Sequence, residues 1–459
     1  MSQLNSIQIA NYRSISFLTL NCTVLDDGSR SFGLIGLNEA GKSSILKAIA
    51  LIAQGSTVAV KDFHDKKEVI SVDFEYLISP EEMTAVELLL ADHDIEHEYK
   101  RDSVFLGCNF DPTTFSRTLT IGLPHLDKIG FMAYPVAELP PDMLHTPIFW
   151  AARDNYLISR PIDLVSFSAN PSETSVPLRN CFRLAGITDI AQRVGELAGD
   201  STEIDQLQRE LGAKVTEHIK TVWPNHPVEI TFHVYDNKIN FLIRDTGSGK
   251  AKTIDQRSDG FRQFISFLLT VSAENQNQEL TKSVLLLDEP ETHLHPLAQE
   301  YLLSELIKIT KNDRDNIAIF ATHSNYMIDK LDLSRNFRIF QNKSGTEISE
   351  FDNKESTYAS VSYEVFSVLS RDFHTELYGR LHDRYQDEDV ADEKRSSQKN
   401  FDEIFFHQKM KLPKNKPLRG VQKQVTLPTY IRNCIHHPEN GDKFTEVELK
   451  DSIKLMKGA

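Results

Sequence analysis

The sequence predicts an α/β fold built on a mixed or parallel sheet, and three apolar segments carry that prediction. Residues 32–35 form a short apolar run that leads into a glycine-rich stretch and then into a helix-like segment. Residues 284–287 and 317–320 are also continuously apolar. Strands covered on both faces read as such unbroken apolar runs, whereas half-exposed strands alternate apolar with polar residues. The three segments therefore predict a sheet that is buried on both faces.

The length and net charge limit the number of packed units and the kinds of partner that we expect. At 459 residues the chain is too long for one average core, so two or three packed units are expected. No apolar run approaches the roughly 18 residues of a membrane-spanning helix, and the first residues lack a secretory signal pattern. We therefore expect a cytoplasmic protein with no membrane partner. A net charge of -15 argues against a surface that binds nucleic acid indiscriminately, but it leaves room for a local basic patch.

The cysteines are widely spaced and include no Cys-x-x-Cys pair. This spacing signals neither a zinc site nor a disulfide framework, so we expect reduced thiols. The four residues are Cys22, Cys108, Cys181 and Cys434.

The order of elements divides the chain into four parts. Residues 6–20 alternate in polarity as a strand does, and Pro80 with the acids after it begins a helix. Apolar residues repeat at helical spacing over 204–222, and residues 228–243 form a hairpin pattern. At about 1.5 Å per residue, the 204–222 helix spans roughly 30 Å, too short for a long coiled-coil arm. The predicted parts are an N-terminal α/β segment (1–68), a compact α+β insertion (69–255), a second α/β segment (256–350) and a helical C-terminal extension (351–459).

A phosphate-binding loop follows the first apolar strand. Residues 36–43 fit the pattern of glycine, four residues, glycine, lysine and serine between a strand and a helix. Backbone N–H groups at Gly36 and Gly41 can wrap phosphates, and the Lys42 ammonium can bridge the β- and γ-phosphates. The Ser43 hydroxyl can hold Mg²⁺. An exposed glycine turn is the alternative, which the placement between strand and helix disfavours. The candidate ATP-binding residues here are Gly36, Asn38, Glu39, Ala40, Gly41, Lys42, Ser43 and Ser44.

Polar residues follow the other two apolar strands. Asp288 and Glu289 end one of them, where a parallel sheet opens onto its ligand. Asp288 would hold Mg²⁺ through water, and Glu289 would polarise the attacking water. His323 follows the other strand and could sense the γ-phosphate, although a lone histidine is more often structural.

Together these motifs resemble the ABC-type ATPase heads of the RecF, SMC and OLD kind. Residues 291–296, which read Glu-Thr-His-Leu-His-Pro, and residues 11–15 add to the resemblance. It implies ATP hydrolysis with Lys42, Glu289 and His323 as the catalytic residues and Mg²⁺ as the metal. It also implies a homodimer that sandwiches ATP between two heads, with higher oligomers expected.

The same resemblance implies a signature motif at residues 257–263, through which one subunit contacts the ATP of its partner. Ser258 and Gly260 are its candidate binding residues, while Asp259 departs from the usual Ser-Gly-Gly pattern. His293 and His295 belong to the loop after the catalytic glutamate, which disfavours a metal site there. The glutamine loop that senses Mg²⁺ is not assigned to any position.

The C-terminal extension turns from acidic at 387–392 to basic between residues 405 and 438. This switch favours a docking surface or an RNA-facing patch, and a solvated linker is the alternative. Within it, Arg432 and His437 resemble the Arg-x-x-x-x-His motif of HEPN ribonucleases. The alternative is a helix in which both side chains only make structural hydrogen bonds.

Two classes of function remain open. The first is a bacterial antiphage defence ATPase, for which the compact insertion, acidic chain and extension resemble the ATPase of the PARIS system, with Septu-type and OLD-type ATPases close to it. The resemblance implies a toxic nuclease partner of Toprim or HNH type, or the chain's own C-terminal ribonuclease, and a phage-encoded trigger protein. The second class is a RecF-like DNA-repair ATPase without an effector. It would need a basic DNA-facing surface, of which the sequence shows little sign.

Overall fold

The chain folds into two compact units, Met1–Asn353 and Lys354–Ala459. The computed structural model describes residues 2–95, 97–150, 155–197, 200–223, 228–245, 250–273, 280–292, 294–311, 314–351, 357–387, 401–418 and 423–458. Among the described helices, none is both long and apolar enough to cross a bilayer.

Two six-stranded sheets form the core of the first unit. One is antiparallel, in the order β2-β1-β4-β5-β6-β7, and the other is mixed, in the order β16-β15-β3-β14-β13-β8. The strands of the two sheets are β1 (Gln3–Tyr12), β2 (Ile15–Asn21), β3 (Ser31–Ile35), β4 (Ile70–Leu77), β5 (Ser103–Phe110), β6 (Arg117–Pro124), β7 (Phe131–Val136), β8 (Thr146–Trp150), β13 (Ser283–Asp288), β14 (Ile317–Thr322), β15 (Asn336–Asn342) and β16 (Gly345–Glu350).

The mixed sheet confirms the predicted fold class. Its strands β8, β13, β14, β3 and β15 are parallel, and β16 returns antiparallel to β15. The three apolar segments of the sequence are its central strands, and β14 lies between β3 and β13. Ala321 pairs with Leu34 on one side and with Asp288 on the other, so the carboxyl ends of the three strands are level. Residues that follow these strands meet at one edge of the sheet.

Helix α1 (Lys42–Ile49) carries the phosphate-binding loop against this core. Its apolar face is buried in the cluster that also contains the inner faces of both sheets. Ile45, Leu46 and Ile49 are fully buried, as their helical spacing predicts. Burial of each large aliphatic side chain is worth roughly 1.5–3 kcal/mol, which anchors the start of α1 beneath the loop.

Most of the remaining elements of the first unit surround a second hydrophobic cluster, whereas helix α2 (Pro80–Leu89) packs in the first cluster through Met83 and Val86. The predicted hairpin is present: β10 pairs with β11 in register, and both Asp236 (φ 45°) and Asn237 (φ 58°) turn in the left-handed region. The predicted helix at Pro80 is also present, with a capping box at Ser79. These elements are α2 (Pro80–Leu89), β9 (Ile162–Asp163), α3 (Leu164–Ala169), α4 (Pro171–Thr174), α5 (Val176–Leu184), α6 (Ile190–Gly195), α7 (Ser201–Val222), β10 (Val228–Tyr235), β11 (Lys238–Asp245), β12 (Lys252–Thr253), α8 (Asp259–Phe267) and α9 (Pro296–Thr310).

The structure corrects the predicted insertion at residues 69–255. Strands β4 to β7 continue the antiparallel sheet from β1, and β8 pairs with β13 in the mixed sheet. Residues 70–150 thus complete the two head sheets rather than forming a separate insertion. The division at residue 68 fails because strand pairing joins segments that are far apart in sequence, which local periodicity does not report.

The second unit is mainly helical. Two hydrophobic clusters hold it together, one around Phe401 and one around Ile431. Lys414 and Lys416 of the basic stretch are ion-paired with Glu403 and Glu448, so part of its charge is neutralised within the unit. Most of the acidic stretch at 387–392 lies outside the described residues. The described elements are α10 (Tyr358–Phe366), α11 (Arg371–Asp387), a π-helix (Asp402–Lys409), β17 (Lys416–Leu418), β18 (Lys423–Val425), α12 (Leu427–His436) and α13 (Glu446–Lys457).

All four cysteines are free thiols buried in the two units. Burial raises the pKa of Cys22 and of Cys108 to about 12. The pKa values of Cys181 and Cys434 are raised for the same reason. Neutral buried thiols are unreactive, so their role is in packing.

Candidate functional site

The two glycines of the phosphate-binding loop sit where no side chain fits. A Cβ added at Gly36 would collide with the Ile339 carbonyl oxygen of β15, and one at Gly41 would collide with Thr346 of β16. Gly41 also adopts a left-handed φ of 103° and forms the cap of α1 without any side-chain hydrogen bond. The loop therefore packs closely on β15 and β16 and leads directly into the N-terminus of α1, where a helix favours a phosphate.

The other candidate residues of the loop are placed around this turn. Asn38 and Glu39 are exposed at its tip, where Glu39 has a φ of 64°. Ala40 is buried, and its backbone N–H donates to the Leu37 carbonyl at 3.3 Å. The backbone N–H of Ser44 donates to the Gly41 carbonyl at 3.0 Å, inside the first turn of α1.

Lys42 is folded back into the loop. Its side-chain Nζ donates to the Gly36 and Leu37 carbonyl oxygens at 2.8 and 2.9 Å and lies 3.1 Å from His323 Nδ1. The residue is only 4% exposed. Burial lowers the pKa of Lys42, while the carboxylates of Glu289, Glu291 and Asp288 act in the opposite direction. The loop thus holds a poorly solvated ammonium that phosphate oxygens can engage in place of the two carbonyls.

Ser43 and Asp288 meet beside it. Ser43 Oγ donates to Asp288 Oδ1 at 2.8 Å, joining α1 to the end of β13. A hydroxyl and a carboxylate are the oxygen ligands that Mg²⁺ prefers when phosphates and waters complete its coordination. Among the described residues, no cluster of three histidine, cysteine or acidic side chains could hold a metal ion unaided. The pair therefore fits a Mg²⁺ that is shared with phosphates.

His323 links Lys42 to Glu289. Its Nε2 is 2.5 Å from Glu289 Oε1, and its Nδ1 faces the Lys42 ammonium. Because a carboxylate only accepts and an ammonium only donates, the neutral ring must carry its proton on Nε2. Glu289 has a φ of 49°, a conformation that costs a residue other than glycine energy and that concentrates at functional sites. The strand ends thus assemble a Lys42–His323–Glu289 chain of hydrogen bonds.

The signature residues Ser258 and Gly260 lie at the start of α8 and take no part in the hydrogen bonds between Lys42, His323 and Glu289. Ser258 caps α8 by accepting from the Phe261 N–H at 3.4 Å, and Gly260 is buried in the first turn. Both line a cavity of about 320 Å³ with apolar side chains that include Trp223 and Leu294. The structure therefore brings Lys42, Ser43, Asp288, Glu289 and His323 together, whereas Ser258 and Gly260 line a different cavity.

The sequence assigned residues 257–263 to the ATP of a partner subunit and did not predict that they also form one wall of this chain's own site. Asp288 and Glu289 open onto a cavity of about 460 Å³ whose other side is helix α8, through Asp259, Arg262 and Gln263. The i, i+3, i+4 spacing of positions 259, 262 and 263 indicates that these side chains share one face of a helix. Its link to Asp288 depends on tertiary packing and had no sequence signal.

The C-terminal motif is arranged more loosely. Arg432 lies on α12 with its guanidinium 5.8 Å from the centre of the Tyr378 ring. His437 caps the same helix, and its Nδ1 is 3.1 Å from Glu439 Oε1. The His437 side chain is 49% exposed. A solvent-accessible histidine beside a carboxylate can exchange protons, and the guanidinium can approach a phosphate from the same helix.

Part of the chain matches a known family model, and most of it matches a phage protein. Residues 157–329 match the family model described as "AAA domain, putative AbiEii toxin, Type IV TA system". The chain is 21% identical over 406 residues to the Old nuclease of Escherichia phage P2. That match covers 80% of this chain and 64% of the phage protein, so the chain spans less than two thirds of its relative. The chain is thus related to AAA-type P-loop ATPases and to the Old nuclease.

Solved structures of SMC heads are also similar. The SMC head bound to the C-winged helix domain of ScpA matches with a TM-score of 0.44 and 10% identity, over 77% of this chain and 99% of that one. The SMC head domain from Thermotoga maritima matches with a TM-score of 0.39 and 11% identity, over 76% and 99%. The head with a coiled coil and joint from Pyrococcus yayanosii matches with a TM-score of 0.43 and 10% identity, over 77% and 98%.

Proposed function

We propose that this chain is an ABC-type ATPase that hydrolyses ATP in the service of an antiphage defence system. The observation that carries the ATPase part is the Lys42–His323–Glu289 chain beside the Ser43–Asp288 pair. These groups supply what phosphoryl transfer needs: a cation at the phosphates, a metal position and a base.

Each residue has one task in the proposed reaction. The loop N–H groups and Lys42 bind and orient the β- and γ-phosphates of ATP. Mg²⁺, held by Ser43 and Asp288, would neutralise the charge that develops on the phosphate oxygens. Glu289 accepts a proton from the attacking water, and His323 keeps the Glu289 carboxylate in place through its Nε2–H. Water enters through the cavity between Glu289 and α8.

The separation of Ser258 and Gly260 from Lys42 supports the proposed homodimer. Both residues lie in a different cavity from the Asp288 and Glu289 side chains. In the proposed dimer, a second copy presents them to the ATP on Lys42. Head dimers that form with ATP and separate after hydrolysis would couple the reaction to larger assemblies.

The defence role draws support from the comparisons. The phage relative is named as a nuclease, and the matching family model is described as a putative toxin. We propose that the ATPase scaffolds and restrains a separate nuclease of Toprim or HNH type until a phage-encoded trigger releases it. This arrangement is the one expected of a PARIS-like system.

The decisive experiment expresses the chain with and without the gene that neighbours it in the genome. Phage protection and growth arrest should require both genes, and the purified chain alone should hydrolyse ATP without cutting nucleic acid. Hydrolysis that rises with duplex DNA, together with no phage protection from either expression, would instead support the RecF-like repair role.

A second candidate is a C-terminal ribonuclease, favoured by the placement of Glu439 beside His437. A carboxylate can orient a histidine for proton transfer from a ribose 2′-hydroxyl, while Arg432 steadies the phosphate. The test is tRNA integrity and growth in cells that express the chain alone. Toxicity that is lost in both Arg432→Ala and His437→Ala would establish this candidate over the scaffold.

A further inference from the structure

Glu291 is a buried carboxylate in the turn after β13, and its side chain is bound to the neighbouring strand. The residue is 5% exposed. Its Oε1 accepts from Thr322 Oγ1 at 2.5 Å and from the backbone N–H of His323 at 3.3 Å. Thr322 Oγ1 in turn accepts from the Ser324 backbone N–H at 2.9 Å. One carboxylate oxygen therefore organises the end of β14 and the residues that follow it.

The backbone that carries Glu291 is itself fixed. The Glu289 N–H donates to the Ala321 carbonyl at 3.0 Å, which extends the pairing of β13 and β14 by one residue. Thr292 donates to the Glu289 carbonyl through its N–H at 3.2 Å and its Oγ1 at 2.9 Å. The Leu294 N–H closes the turn on the Glu291 carbonyl at 3.0 Å. Glu291 thus bridges two strand ends from a rigid base.

This bridge ends at the residue whose ring connects Lys42 to Glu289. We infer that Glu291 is a positioning residue for ATP hydrolysis, which holds the His323 backbone so that the ring lies between Lys42 and Glu289. The inference rests on the ATPase function proposed above and assigns to Glu291 no contact with the nucleotide. Its effect reaches the reaction through His323, because a displaced ring would lose its 2.5 Å hydrogen bond to Glu289.

Positioning requires a hydrogen-bond acceptor and not a negative charge. Burial raises the pKa of Glu291, and its Oε2 is a buried atom with no hydrogen-bond partner among the described residues. An amide at this position keeps the acceptor oxygen for Thr322 and His323. Glutamine at position 291 should therefore preserve the positioning of His323, whereas alanine should not. If Glu291 were itself the base that activates water, glutamine would fail as completely as alanine.

The experiment compares kcat and KM for ATP hydrolysis, ATP binding and thermal melting in wild type, Glu291→Ala and Glu291→Gln. We expect Glu291→Ala to lower kcat roughly 10- to 100-fold, as misplaced catalytic groups do, with ATP affinity nearly unchanged. Glu291→Gln should restore kcat to within about threefold of wild type. Glu305→Ala is the matched control, since it removes another buried carboxylate, 6% exposed on α9, from outside the site. It should leave kcat unchanged.

A folded Glu291→Ala protein with wild-type kcat would overturn the inference, as would a Glu291→Gln protein as impaired as the alanine variant. If Glu291→Ala does not fold, Thr322→Val decides instead, because it removes the 2.5 Å bond without replacing any of the catalytic side chains. Reduced kcat in that variant supports the inference, and wild-type kcat contradicts it. A wild-type protein without ATPase activity would contradict the proposed function, and the role of Glu291 would fall with it. An active wild type beside a Glu291→Ala protein of equal kcat would contradict the role of Glu291 alone.

Discussion

The strand-end site and the C-terminal motif differ in how firmly their side chains are held. Lys42 makes three polar contacts and is 4% exposed, and His323 is bonded through both ring nitrogens. His437 has one such contact, to Glu439, and half of its side chain is exposed. Catalytic groups that are fixed before the substrate arrives lose little entropy on reaction. The comparison therefore favours the first region as a built active site.

Their electrostatics differ as well. The negative charges of Glu289, Glu291 and Asp288 oppose the lowering of the Lys42 pKa by burial, so the strand-end site suits a bound cation together with phosphates. In the C-terminal motif the positive charge of Arg432 lowers the pKa of His436, after burial as the larger cause. This region can attract a phosphate backbone without being shaped for one reaction.

The largest effect is expected from Lys42→Ala. The substitution removes the ammonium, which exchanges its hydrogen bonds to two loop carbonyls for bonds to phosphate oxygens when ATP binds. ATP affinity should therefore fall by about 100-fold or more, and hydrolysis should disappear. Equilibrium binding of labelled ATP measures this. Lys47→Ala is the control, because Lys47 is exposed on the same helix. Unchanged ATP affinity in Lys42→Ala would contradict the assignment of the strand-end site, rather than the C-terminal motif, as the ATP-binding site.

Glu289→Gln should separate binding from chemistry. The amide keeps the shape of the side chain but is a poor proton acceptor, so turnover should fall roughly 100-fold or more while ATP binding persists. Size-exclusion chromatography with ATP should then show accumulated head dimers. Turnover equal to wild type would place the base elsewhere and make Glu289 a structural residue.

The helical unit should be the acid-sensitive one because of His374. This residue is fully buried, with Nε2 2.9 Å from Ser452 Oγ, and burial lowers its pKa to about 4. The unfolded chain binds the proton near pH 6.5, so stability is present above that value and is lost as the pH falls toward 4. At pH 5 the loss is about 2 kcal/mol relative to pH 8. Unfolding of His374→Gln should show less of this pH dependence.

Asp73 in the antiparallel sheet provides the opposite control. Burial raises its pKa to about 6, so the folded state holds the proton more tightly than the unfolded chain and stability declines as the pH rises from about 4 to 6. Asp73→Asn should therefore stabilise the first unit at pH 7 and have little effect at pH 4. The same acid response in both variants would contradict the two assignments.

The smallest effect is expected from His437→Ala and Arg432→Ala on ATP hydrolysis. Neither residue belongs to the strand-end site, so kcat should stay within about twofold of wild type. Steady-state ATPase assays measure this. A larger loss in both folded variants would mean that the C-terminal motif takes part in the ATPase reaction.

Local patterns predicted the parts of the site that local chemistry determines. The spacing of residues 36–43 predicts the phosphate-binding loop, and the apolar runs before Asp288 and His323 predict strands that end in polar residues. Parallel pairing then brings those ends together, so their proximity could be inferred from the sequence alone.

Other features depend on contacts between distant segments. Nothing in residues 70–150 shows that β4 pairs with β1 or β8 with β13, and the predicted insertion boundary failed for that reason. The role of Glu291 was also hidden, because its partner Thr322 is 31 residues away. The wall that α8 forms beside Glu289 likewise arises from packing.

The burial of all four thiols has a practical consequence. A maleimide reacts with thiolate at the surface, and these sulfurs are both covered and protonated. A cysteine placed at Leu331, whose side chain is 96% exposed, would therefore be labelled against a silent background without removing any native cysteine. A donor dye and an acceptor dye on separate copies would then report the association of two heads in real time.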